Sequence, residues 1–112
     1  IMEKEITVDE IVKKLQSGMS ENPDELSRYL IVLSAKLFQA SSLETKAEIE
    51  YVKKWQELKQ PEDSDKKTDM LAKGTDEYIK WRGAVATGRT MLEMIRAIKK
   101  RLTLLSGEYQ SN

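Results

Sequence analysis

The sequence predicts an all-α protein: a long antiparallel helical hairpin, coiled-coil-like, with a short amino-terminal helix. Three observations carry this. Apolar residues alternate in spacings of three and four over residues 26–58 and again over 71–102, the seam of a helix packed lengthwise on another helix. Only two prolines occur in 112 residues, so long uninterrupted helices are allowed. Charged residues reach 34% and aromatics only 6%, a balance that suits helical hairpins better than sandwiches. At this length one domain, 1–112, is expected.

The first helix is expected over about 8–17. Thr7 with Glu10 is a capping box, and Val8, Ile11, Val12 and Leu15 share one face. Ser17-Gly18 is the stop. Such a short helix is marginal alone, so its apolar face must dock. Met19–Glu21 is a connection. Asn22-Pro23-Asp24-Glu25 starts the second helix, with Asn22 capping, Pro23 in the first turn and Glu25 completing a box.

That helix runs to about residue 59, with a seam of Leu26, Leu30, Leu33, Leu37, Ala40, Glu44, Ala47, Tyr51, Lys54 and Leu58. Ser41-Ser42-Leu43-Glu44 offers an alternative break. Gln60–Ser64 is a solvated turn stopped by Pro61, and Ser64 caps a third helix over 65–105. Its seam reads Leu71, Gly74, Tyr78, Trp81, Val85, Gly88, Leu92, Ile95, Lys99 and Leu102. At ~1.5 Å per residue it would be roughly 60 Å long. Gly74 is either a kink or a close approach to Tyr51. Ser106-Gly107 closes the helix, and 106–112 is expected to be a disordered tail.

A short turn makes the two long helices antiparallel neighbours. Centring the turn on Glu62 pairs Tyr51 with Gly74, Leu30 with Met94 and Ile95, and places Glu44 within reach of Arg82. Gly83, Ala84, Ala86, Thr87 and Gly88 read as small residues at a close crossing. Trp81-Arg82-Gly83 matches the WxG signature of small secreted helical hairpins only by chance, because that signature belongs in a turn.

Cysteine and histidine are both absent. Disulfides, thiolate nucleophiles, the commonest general base and the commonest transition-metal ligands go with them. The Glu62, Asp63 and Asp65 cluster lacks a cation-loop pattern. No catalytic residue, metal, cofactor or small-molecule substrate is expected, and the chain reads as a non-enzyme. No apolar run suffices for a membrane span. Met2-Glu3-Lys4-Glu5 is charged at once, so no leader and a cytoplasmic location are expected.

Net charge is zero but uneven. Residues 1–50 carry 6 basic and 10 acidic side chains, and residues 77–105 carry 7 and 2. Arg82, Arg89 and Arg96 recur every seven residues, and Lys99, Lys100 and Arg101 extend the stripe. One reading is a solvated or ion-paired flank, worth little energetically. The other is a surface for nucleic acid or an acidic protein partner, since arginine forks match phosphate oxygens. Tyr29-Leu30-Ile31-Val32-Leu33 is apolar on every face of a helix, and Leu37, Phe38 and Leu43 continue the excess. One partner helix cannot cover it all; either the short first helix suffices for the rest, or a second copy or another protein covers it. Tyr29, Ile31, Val32 and Phe38 are expected at an oligomer interface, most simply a dimer.

Ala47-Glu48-Ile49-Glu50-Tyr51-Val52-Lys53-Lys54-Trp55, then a turn and an arginine-rich helix Arg89–Leu105, resemble small all-helical phage and prophage proteins. Those proteins are often encoded beside replication or recombination functions. The resemblance covers about half of the chain and carries over no site residue. It implies an accessory role in DNA metabolism, contacting DNA or a DNA-processing protein.

Overall fold

The computed structural model describes residues 6–18 and 21–110. It contains α1 (Val8–Gln16), α2 (Pro23–Leu58), α3 (Asp65–Ala72) and α4 (Asp76–Gln110), with no strand among the described residues. Packing falls into two compact units where the sequence suggests one domain. The first draws on Ile1–Leu37 and Met91–Asn112, the second on Phe38–Thr90. In each, α2 packs on α4, so the expected all-α hairpin is observed.

In the first unit the caps follow the sequence. The Thr7 hydroxyl accepts from the Glu10 amide at 3.2 Å, and the Asn22 side chain accepts from the Asp24 amide at 3.0 Å. These acceptors satisfy amides that a helix start leaves orphaned. Gly18 has φ +128°, a conformation costly for any side chain, so the stop after α1 requires glycine. The expected connection at residues 19–20 lies outside the described residues.

The core of this unit joins three helices. Ile11 of α1, Leu26, Tyr29 and Leu33 of α2, and Ile95, Ile98 and Leu105 of α4 are buried together. Leu30 and Met94 pack against the same cluster. Glu25 is not simply a box residue: its carboxylate accepts from the Tyr29 hydroxyl and lies 3.8 Å from Lys14 Nζ on α1.

The second unit begins within α2, which runs through Ser41-Ser42 without a break. Helix propensity and the seam residues Ala40 and Ala47, both buried, outweigh the local capping signal. After Pro61 the turn is more ordered than expected. Asp63 is not solvated; its side chain is 7% exposed and pairs with Lys67 at 2.9 Å. Lys59 Nζ bonds the Asp63 carbonyl and the Asp65 carboxylate, both at 2.7 Å. Ser64 caps α3 through the Lys67 amide at 3.2 Å, and the buried Thr68 donates its hydroxyl to the Ser64 carbonyl.

The third predicted helix is two helices. Lys73 ends α3, and Thr75 starts α4 by accepting from the Tyr78 amide at 3.3 Å. Asp76 and Glu77 follow in the first turn, where they complement the helix dipole. The break shifts the pairing. Trp55 still reaches Asp69 across the turn, at 2.6 Å, as the expected register requires. Beyond the break Tyr51 meets Tyr78 and Trp81 instead of Gly74, and Glu44 lies beside Gly88 rather than Arg82, a slip of roughly two turns.

The seams of α3 and α4 differ from the expected one as well. On α3, Leu71 is exposed and Ala72 buried; on α4, Leu92 and Lys99 are exposed, whereas Ile98 is buried and Met91 is half-buried. No close crossing occurs at the small residues. Gly83, Ala86 and Thr87 are exposed, and the nearest atom to a Cβ at Gly88 would be 3.9 Å away. Nor does α4 end at Leu105: it continues through Gly107 to Gln110, because a helical glycine costs only ~1 kcal/mol. Residues 106–110 are thus helical rather than a disordered tail, and 111–112 lie outside the described residues.

Candidate functional site

All six basic candidates lie on α4, but they divide between the units and differ in employment. In the first unit, Arg101 is committed internally. Its Nη2 donates to Glu21 Oε1 at 2.9 Å and its side chain is only 25% exposed. Arg96, Lys99 and Lys100 are exposed and form no ion pair among the described residues. They stand at i, i+3 and i+4 on one helix, so neighbouring turns bring the three charges together. Exposed cations so placed suit phosphate oxygens or carboxylates.

In the second unit, the Arg82 guanidinium lies 5.5 Å from the Trp81 ring centroid, a contact worth about 0.5–1 kcal/mol at an exposed site. The Glu44 pairing expected for it is absent because of the slip described above. Arg89 is exposed and has no ion-pair partner among the described residues.

The apolar candidates also separate. Tyr29 is 2% exposed and buried by its own chain, so it is not available to a second copy. Leu26, Tyr29 and Leu33 follow the same alternation of three and four as the seam, and α1 adds a third wall to their pocket. Val32 is half-buried against the same core. Ile31 in the first unit and Phe38 in the second are 71% and 80% exposed. Leu43, Ile49 and Val52 of the second unit are exposed too.

An aromatic cluster, likewise missed as a cluster, stiffens the second unit. Tyr51 stacks on Trp81 with centroids 5.1 Å apart and 19° between planes. Tyr78 meets both rings, at 5.5 Å and 6.2 Å. Burial raises the Tyr51 phenol above its usual range, with Asp69 and Tyr78 adding to the effect. Its spacing was legible: Tyr78 and Trp81 lie three apart on the predicted seam.

One open depression in this surface is lined by Glu48, Ile49, Val52, Lys53 and Gln56 and is mainly apolar. No group of three or more acidic, cysteine or histidine side chains is placed to hold a metal ion among the described residues. No described helix is long and apolar enough to cross a membrane. No protein-family model, curated protein or solved structure matches the chain.

Proposed function

We propose that this chain is a non-enzymatic helical accessory module that contacts a polyanion, nucleic acid first of all, through Arg96, Lys99 and Lys100 of α4. One observation carries the reading: the three cations are exposed and lack ion-pair partners among the described residues, while the neighbouring Arg101 is spent on Glu21. A charge left solvated costs nothing to present and can exchange counterions for phosphates. The resemblance of residues 47–55 and 89–105 to phage accessory proteins points the same way.

The experiment is a fluorescence-anisotropy titration against short single-stranded and duplex oligonucleotides at several salt concentrations. Three phosphate contacts give a slope of about −2.7 on a log–log plot for duplex DNA, or about a 40-fold loss between about 50 and about 200 mM salt. Absence of binding at the low-salt end overturns the reading. A protein-interaction module without nucleic acid is the second reading, favoured by the exposed Ile31, Phe38 and Ile49 and by the internal employment of Arg82 and Arg101.

A further inference from the structure

Within the second unit, α2 carries two opposed faces. Ala40, Ala47 and Tyr51 turn inward. On the far side, Phe38, Ser42, Thr45, Ile49 and Val52 are all exposed and alternate in steps of four and three. That is a second coiled-coil seam over four turns, without a charge in it. Thr45 donates its hydroxyl to the Ser41 carbonyl at 3.1 Å, so its polar atom is already satisfied within the helix.

We propose that a second copy of this chain covers that seam, pairing α2 with α2 in parallel and in register. The flanking charges select both the occupant and the direction. In heptad terms Phe38, Thr45 and Val52 occupy d, and Ser42 and Ile49 occupy a. Lys46 and Lys53 then fall at e, and Glu48 falls at g. A parallel pair sets each g residue against the e residue five positions on in the other helix, so Glu48 meets Lys53 of the second copy, twice by symmetry.

An antiparallel pair instead sets e against e, lysine flank against lysine flank. Glu48 and Lys53 are exposed and have no ion pair among the described residues, so both are free for this role. The pairing uses none of Arg96, Lys99 or Lys100 and stands or falls separately from the nucleic-acid reading.

Sedimentation equilibrium tests it. The wild type should run at twice its 12.9 kDa mass at tens of micromolar. Ile49→Glu, at an exposed position, should keep its helical circular dichroism while the dimer dissociation constant rises about a hundredfold or more, because the carboxylate is buried without a partner. Direction is read with Val52→Cys in a chain that has no cysteine. Position 52 ends the seam, so it meets its own mate in the parallel register and lies about 20 Å from it in an antiparallel pair centred on the same seam; oxidation should give a disulfide-linked dimer. A wild-type monomer, an oligomer indifferent to Ile49→Glu, or a Val52→Cys dimer that does not cross-link overturns the proposal.

Discussion

Ile98→Ala probes the α4 register to within one residue. Ile98 is fully buried among Ile11, Leu26, Tyr29, Leu33, Ile95 and Leu105. Truncation removes three carbons, a transfer loss of about 2.4 kcal/mol at ~0.8 kcal/mol per methylene. The surrounding side chains come from three helices and cannot all close in, so a cavity term adds to this. A total of about 3–4 kcal/mol follows, within the observed range for such truncations. Lys99→Ala, one residue on and about 100° around the helix, should cost no more than ~0.5 kcal/mol. Urea unfolding followed by circular dichroism reads both. With m near 1–3 kcal/mol/M, Ile98→Ala should lower the midpoint by about 1 M or more, and Lys99→Ala should barely move it. Equal costs, or a larger cost at Lys99, would refute the register.

Gly83→Ala should stabilise by about 0.5–1 kcal/mol in thermal melts, since a Cβ there meets nothing within 4 Å; destabilisation would place a neighbour against it. Thr75→Ala should cost ~1 kcal/mol by removing the α4 cap, a loss that Thr75→Ser recovers if the hydroxyl is responsible. Burial and then the hydrogen bond to Glu25 push the Tyr29 phenol up to about 12 from 10.0. Folding therefore opposes its ionisation. That stabilisation is complete below pH 10 and is lost as pH rises toward 12. Tyr29→Phe should accordingly lose less stability than wild type across that window, and parallel pH curves for the two proteins would contradict this.

The second helix was the legible one. From Leu26 to Leu58 its alternation is broken only by the half-buried Glu44 and Lys54, so periodicity and packing agree. On α4 two frames compete. Val85, Leu92 and Lys99 repeat every seven residues, and so do Met91, Ile98 and Leu105 one position earlier; the second frame is the one turned inward, where α1 and α2 enclose the helix. The break before α4 had a signal in Thr75-Asp76-Glu77, a cap followed by first-turn acids, masked by reading Gly74 as a seam position. Arg101 could not be sorted from its neighbours, because its partner Glu21 is 80 residues away and only the folded path brings them together. Tyr29 looked surplus for a related reason: a one-sided hairpin leaves it bare, and α1 supplies the missing wall.

The salt dependence of duplex binding, compared between wild type and Arg96→Gln/Lys99→Gln, tests the proposed role most directly. Both residues are exposed, so the double variant should melt with the wild type. If these cations meet phosphates, the log–log slope should fall by about two, at about 0.9 per contact, with affinity weakened across all sequences alike. An unchanged slope in a folded double variant, or no duplex binding by the wild type at low salt, would contradict a nucleic-acid contact at this face.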